Sequence, residues 1–242
     1  VGARIISMIN DLVFTPMRTV ALSGFSRVEG IEAKGKAFLR ITNLVGFVAF
    51  PVYLGIAALG HELVVVLFGD KWGQSGFVLA MLAIGGGAGV LSYFVQPLLA
   101  AVGLAHLASI RSFWIFVSNA VVSLIAAPFG IAMLALGFSA RAYAGIVPTL
   151  FLLKRAVNLR LLDPLKGLWP SFLAAVLMAG SVYLLKKFLL DEVDPLTRIV
   201  LLVPLGAAAY AAILKLFFAS YLVTIWQEVR PLLETVRKRR AK

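Results

Sequence analysis

A long uncharged stretch decides the fold. Residues 77–100 read FVLAMLAIGGGAGVLSYFVQPLLA and contain no Asp, Glu, Lys or Arg. A helix needs about 20 predominantly apolar residues to cross the hydrocarbon core of a bilayer. A membrane barrel would instead show short segments of alternating hydrophobicity, which the sequence lacks. The stretch therefore predicts a transmembrane helix.

The composition extends this prediction to the whole chain. Of the 242 residues, 61% are hydrophobic and 14% are charged, and the mean hydropathy is +0.97. Soluble domains are roughly 45–50% apolar and about 25% charged. We therefore predict an all-α integral membrane protein of about seven transmembrane helices. The predicted spans lie near residues 4–23, 38–59, 77–100, 107–127, 130–153, 168–188 and 198–219.

Cysteine and histidine usage excludes several classes of function. There is no cysteine, so disulfide scaffolds and thiolate chemistry are excluded. The two histidines, His61 and His106, are far apart in sequence, which argues against a histidine metal site. The predicted spans carry no pair of carboxylates for acid–base catalysis. We expect no metal, no cofactor and no enzymatic activity.

The basic residues fall mostly on alternate loops and account for the net charge of +12. Fifteen of them lie in residues 24–40, in the loop after Gly103 (with which we count Arg111), in residues 154–167 and in the tail. The other loops carry five, which are Arg4, Lys71, Lys186, Lys187 and Arg198. Cytoplasmic loops are enriched in Lys and Arg. The pattern predicts a cytoplasmic C-terminus and needs no nucleic-acid partner.

Residues 220–242 form a basic tail. Its apolar residues recur at helical spacing: Leu222, Ile225, Val229, Leu232, Leu233 and Val236. The basic run that follows them is Arg237, Lys238, Arg239 and Arg240. This pattern is typical of an amphipathic helix on an anionic membrane surface. A solvated anchor that only fixes the topology explains it equally well.

The first predicted span carries a polar stripe. Its members, spaced by three or four residues, are Arg4, Ser7, Asp11, Thr15 and Arg18. On a helix they share a stripe about 80° wide and roughly 20 Å long. Charges within a membrane are costly and usually face a bundle interior or a wet cavity. The stripe predicts a cavity lining, and an interhelical ion pair that ties the bundle is the alternative.

Two further charges lie within predicted spans. Arg141 has glycines four residues away on either side, Gly137 and Gly145, so another helix can come close. Cavity lining and a buried ion pair are both open for Arg141. Lys215 lies near the end of the last span, where a lysine can extend to the membrane surface.

Three other features favour structural interpretations. The glycines in residues 85–89 predict close helix packing or a hinge, because no phosphate-loop lysine follows and the run lies inside a span. His61 and Glu62 open a short apolar segment that we place at the membrane interface. The acidic residues within 191–194 predict a solvated turn.

Three segments carry a resemblance to a known family. Residues 50–72 read FPVYLGIAALGHELVVVLFGDKW, residues 15–27 read TPMRTVALSGFSR and residues 98–103 read LLAAVG. Together they resemble the Wzx-type polysaccharide flippases of the MOP superfamily, which also holds the MATE multidrug exporters and the lipid II flippase. Beyond about residue 105 the similarity is one of hydropathy and span number.

The resemblance implies an architecture. Such flippases have about fourteen helices in two pseudosymmetric lobes, and this chain would supply helices eight to fourteen. Residues 1–153 would form five spans of the C-terminal lobe, residues 154–219 its last two-helix hairpin, and residues 220–242 a cytoplasmic tail. The chain starts at Val1 rather than Met. We therefore expect it to belong to a longer protein, or to work with a partner that supplies the missing N-terminal lobe.

The resemblance also implies a function. The family exports oligosaccharides linked to undecaprenyl diphosphate across the bacterial inner membrane, by alternating access and without breaking a bond. A cationic cavity meets the diphosphate, and Arg18 and Arg141 are the positions here that match this role. The implied partners are the lipid-linked oligosaccharide, membrane lipids and the missing lobe.

Three alternatives remain open. The first is a multidrug exporter of the same superfamily, with Asp11 as its cation or proton site. The second is an integral-membrane glycosyltransferase, polymerase or ligase acting on lipid-linked glycans. The third is a membrane scaffold that does not transport.

Overall fold

The protein is an all-α membrane protein. A computed structural model describes residues 21, 24–25 and 28–228. Within these residues every regular element is a helix and there is no strand, as the composition predicted. Most of the predicted first span, and residues 229–242 of the predicted tail, lie outside the described residues.

Nine α-helices lie within residues 31–217. They are α1 (Ile31–Ala58), α2 (Gly60–Phe68), α3 (Ser75–Ser92), α4 (Val95–Ala101), α5 (Ala105–Ala126), α6 (Ile131–Ala144), α7 (Ile146–Val157), α8 (Asp163–Leu189) and α9 (Pro195–Phe217). Short 3₁₀ turns lie at Asp70–Trp72 and Ala127–Phe129. Residues 219–228 are helical and continue the chain beyond α9.

Six segments among the described residues are long and apolar enough to cross a membrane. They are Ile31–Ala58, Ser75–Ala101, Ala105–Phe129, Ile131–Val157, Asp163–Leu189 and Pro195–Phe217. Each matches one of the seven predicted spans, and the remaining one is the span near residues 4–23. The prediction of about seven spans therefore agrees closely with the structure.

Two of these segments consist of two helices each, a feature that the hydropathy pattern did not predict. The segment Ser75–Ala101 breaks between α3 and α4, and Ile131–Val157 breaks at Gly145. In each case a proline, Pro97 or Pro148, is the third residue of the second helix. Proline has no N–H and cannot continue the hydrogen bonds of a preceding helix, so the break precedes it.

The connections gather at two opposite ends of the bundle, in the alternating order that the loop charges predicted. At one end, which we call the basic end, the Lys34 ammonium donates to the carbonyl of Ala101 at 2.7 Å. Gly35 packs there against Val157. At the other end, the carboxylate of Glu62 meets cations from the last turn of α8 and the first turn of α9.

Helix α1 lies at the centre of the bundle and packs mainly against α8 and α3. A Cβ atom at Gly46 would lie 2.5 Å from Cδ2 of Leu168, so only glycine permits this approach of α8. The Tyr210 hydroxyl donates to the carbonyl of Phe47 at 2.9 Å and ties α9 to the same face. Helices α5 and α6 are peripheral and bury few of their residues, whereas α7 buries five of its twelve.

The helical residues 219–228 are anchored to the basic end. The hydroxyls of Tyr221 and Ser171 are hydrogen-bonded at 2.7 Å, and Arg40 lies 3.7 Å from the carboxylate of Glu228. Burial raises the pKa of Glu228, and the charge of Arg40 opposes that shift. Leu222 and Ile225 pack against the bundle. The first turns of the predicted surface helix are therefore bound to protein rather than to lipid.

Candidate functional site: a cavity with two arginines

A cavity lies between α3, α5, α6 and α7. Its volume is about 590 Å³, within the range of typical ligand sites. Its wall is mostly apolar and carries few polar side chains. These are Ser92, Arg111, Ser118, Arg141 and Thr149.

Arg111 and Arg141 dominate the electrostatics of the cavity. Arg111 lies about 9 Å along α5 from its first residue, and Arg141 lies in the last turn of α6. Both guanidinium groups line one cavity and carry the same charge, so they repel each other. Both residues are in membrane-spanning segments, where an uncompensated charge is costly. The cavity is therefore a site of concentrated positive charge.

Neither arginine has a carboxylate partner among the residues that the structure describes. The three ion pairs found there join Arg40 to Glu228, and Lys186 and Arg198 to Glu62. The Nε atom of Arg141 is buried and has no hydrogen-bond partner in the same residues. Buried polar groups in proteins are nearly always hydrogen-bonded. Arg141 is therefore a cation whose charge and Nε donor no described group satisfies.

The chemistry of the pair matches phosphate groups. A guanidinium presents its N–H donors in a planar fork and binds phosphate oxygens in pairs. Two such groups without a carboxylate suit a ligand that carries more than one negative charge. A diphosphate meets this requirement, and a neutral or cationic ligand does not.

The structure places one of the predicted cavity residues, Arg141, on the wall of this cavity. It forms no ion pair within the described part of the chain, which was the alternative for this residue. The other predicted cavity residues lie outside the described residues; they are Arg4, Ser7, Asp11, Thr15 and Arg18. The same holds for the predicted membrane-surface residues Arg237, Lys238, Arg239 and Arg240.

Arg111 is a site residue that the sequence analysis assigned to the wrong place. We counted it with the loop after Gly103, whereas it lies inside α5, which begins at Ala105. The signal was present, because residue 111 falls within the predicted span 107–127. A charge within that span already indicated that Arg111 faces a cavity or a buried partner.

A buried ionic cluster occupies the end of the bundle opposite the basic end. The two carboxylate oxygens of Glu62 lie 3.2 Å from the Lys186 ammonium and 3.3 Å from the Arg198 guanidinium. The Glu62 side chain is only 2% exposed. Lys186 also donates to the carbonyl of Ala58 at 2.8 Å, and Arg198 to that of Asp191. The predicted interfacial segment is therefore tied into the bundle.

The glycine run of α3 is confirmed as a close-packing element at two of its positions. A Cβ atom at Gly85 would lie 2.6 Å from the hydroxyl of Ser139, and one at Gly86 would overlap the ring of Tyr53. Gly87 differs from both, because its nearest neighbours would be 3.8 Å away. The run thus contains one buried position where an added methyl group would make only ordinary contacts.

Four other charged residues are exposed near the ends of α8 and α9. Lys215 is exposed near the end of α9. Asp191, Glu192 and Asp194 are exposed in the turn between α8 and α9. The Asp194 carboxylate accepts the backbone N–H of Thr197 at 2.9 Å and caps α9. This hydrogen bond lowers the pKa of Asp194.

Comparison with known proteins gives one match. A family model described as "Polysaccharide biosynthesis protein" matches residues 1–77, about a third of the chain. It covers two of the three segments that carry the resemblance, residues 15–27 and 50–72, and excludes residues 98–103. No curated protein and no solved structure matches the chain.

Proposed function

We propose that this chain is the C-terminal lobe of a flippase that moves glycans linked to a lipid diphosphate across the bacterial inner membrane. The observation that carries the proposal is the pair Arg111 and Arg141, which line one cavity with no carboxylate partner among the described residues. The family match supports a place in polysaccharide biosynthesis. The match covers only residues 1–77 and its description does not mention transport, so the transport step is our inference.

The proposed mechanism breaks no bond, so the protein acts as a transporter and not as an enzyme. The diphosphate binds to the guanidinium groups, and the glycan occupies water-filled space between this lobe and the N-terminal lobe. We expect the polar stripe predicted from Arg4 to Arg18 to line the same space. Rocking of the lobes then exposes the cavity to each side of the membrane in turn.

A transport assay on the full-length protein tests the proposal. The protein is reconstituted into vesicles with a fluorescent lipid-linked oligosaccharide diphosphate, and the fraction that reaches the outer leaflet is measured with an impermeant quencher. We expect protein-dependent movement of the diphosphate lipid and no movement of a neutral glycolipid. We also expect Arg18→Ala to abolish movement while leaving membrane insertion intact. Equal movement of both lipids would contradict the proposal.

The proposal includes an orientation, with the basic end of the bundle in the cytoplasm. The chain has no cysteine, so single cysteines can be introduced on a clean background. Glu29 and Gln74 are both exposed and lie towards opposite ends of the bundle. In intact cells with a permeabilised outer membrane, we expect an impermeant maleimide to label Gln74→Cys and to label Glu29→Cys only after lysis. The reverse pattern would overturn the orientation.

A further inference from the structure

A second cavity lies beside the arginine cavity and differs from it in chemistry. Its volume is about 240 Å³. We call it the side pocket, and it lies between α1, α3, α8 and the junction of α6 with α7. Its wall is apolar and largely aromatic, and includes Phe50, Leu91, Tyr143, Leu168, Trp169 and Phe172. No charged side chain lines it.

The two cavities share a wall. Ala88 lines both of them. Along the junction of α6 and α7, Arg141 faces the arginine cavity, while Tyr143 and Ile146 face the side pocket. The arginine cavity and the apolar side pocket are thus separated here by about one residue of backbone. An amphipathic ligand that bridges this junction would contact both.

We propose that the side pocket holds the hydrocarbon chain of a phosphate-bearing lipid whose phosphate groups bind Arg111 and Arg141. The inference rests on the proposed function and adds to it a second subsite. In the simpler arrangement, the chain of a transported lipid stays in the bilayer while only its headgroup enters the protein. Here the first segment of the chain is bound by protein.

The wall of the side pocket explains what such binding would achieve. Transfer of a chain from lipid to protein brings little hydrophobic gain, because lipid tails are as apolar as the pocket. Any preference of the side pocket for one lipid chain over another must therefore come from packing against its aromatic side chains. Phe50 and Phe172 meet edge to face with ring centroids 5.4 Å apart, and Trp169 lies 6.3 Å from Phe172. Trp169 is 56% exposed, so a chain can enter from the surface of α8.

Gly87 offers a way to fill the side pocket alone. It lines this pocket and not the arginine cavity. The nearest atoms to a Cβ there would be Phe50 Cδ1 and the Tyr143 hydroxyl, both at 3.8 Å. Gly87→Ala therefore fits without strain, and Gly87→Leu fills the pocket. Gly180→Leu is the matched control, because position 180 is exposed and has nothing within 4 Å.

The test is photocrosslinking on the full-length protein in phosphatidylcholine nanodiscs. The probe is farnesyl diphosphate with a benzophenone on its chain, and labelled peptides are identified by mass spectrometry. We expect labelling at Trp169 and Phe172, a decrease of at least about fivefold in Gly87→Leu, a smaller decrease in Gly87→Ala and none in Gly180→Leu. Melting curves of the variants confirm folding. Unchanged labelling in both Gly87 variants, or labelling confined to the exposed face of α5, would overturn the side-pocket assignment.

Competition distinguishes the source of the chain and separates this inference from the proposed function. Displacement of the probe by unlabelled geranylgeranyl diphosphate, but not by phosphatidylglycerol, identifies a prenyl diphosphate and supports both. Equal displacement by phosphatidylglycerol supports the pocket as a lipid-chain site and counts against the proposed substrate. Failure of both lipids to displace the probe would overturn the pocket.

Discussion

Replacing Arg111 and Arg141 together by glutamine is expected to lower the affinity of the full-length protein for a prenyl diphosphate about a hundredfold or more. A hydrogen bond to a charged group contributes about 1.5–3 kcal/mol, and each 1.4 kcal/mol is a factor of ten in affinity. Both residues line the same cavity. Glutamine keeps some hydrogen-bonding capacity and removes both charges.

The single variants Arg111→Gln and Arg141→Gln give a second test of the site. Because Arg111 and Arg141 repel each other, removing one of them also relieves repulsion in the empty site. We therefore expect each single variant to lose more than half of the binding free energy lost by the double variant, because the bound anion no longer gains from neutralising that repulsion. Affinity is measured by scintillation proximity with a radiolabelled prenyl diphosphate. Lys215→Gln, an exposed cation near the end of α9, is the control. A double variant that binds like the control would refute the anion site.

Replacing Glu62 by glutamine is expected to destabilise the protein by about 3–5 kcal/mol, the range for breaking a buried ion pair by removing one partner. The carboxylate contacts two cations, Lys186 and Arg198, whose side chains are only 17% and 15% exposed. Without it, two like charges face each other in a poorly solvated space. We expect a lower midpoint of thermal unfolding in detergent, followed by fluorescence-detected size exclusion.

Two further variants test whether the loss of stability arises because the charges left behind are buried. Glu192→Gln makes the same change at an exposed acid in the turn between α8 and α9 and should leave the unfolding midpoint unchanged. The triple variant Glu62→Leu, Lys186→Met, Arg198→Met removes every charge of the cluster. Buried ionic groups replaced together by apolar residues often retain or gain stability, so this variant should recover much of the loss. A Glu62→Gln protein as stable as the Glu192→Gln control would contradict the prediction.

The spans could be predicted from the sequence because each needs only local information. A run such as residues 77–100 is too long and too apolar for a helix of a soluble protein, and its length matches the thickness of a bilayer. The breaks at Gly145 and before α4 were harder to predict. Proline also occurs inside α1, at Pro51, where the helix continues. Whether a proline ends a helix in a membrane depends on neighbouring groups that can satisfy the freed carbonyls, and these come from tertiary packing.

The charged clusters could be predicted only in part, because their members come from distant parts of the chain. Glu62 meets Lys186 across 124 residues, and no local pattern indicates that pairing. Arg141 was identified as a charge inside a span, but its neighbour Arg111 was not. The sequence shows which charges are buried at a cost, and the packing of α5 against α6 determines which of them face the same space.

The repulsion between Arg111 and Arg141 also has a mechanical consequence. In the absence of ligand it acts as a compressed spring between the cavity walls that α5 and α6 supply, while hydrogen bonds from Ser139 and Tyr143 hold α6 to α3. A bound anion neutralises the spring and allows the helices to approach. A ligand that binds the closer arrangement more tightly shifts the population towards it. Under the proposed function, the negative charge of the lipid-linked substrate would then drive the first movement of its own transport.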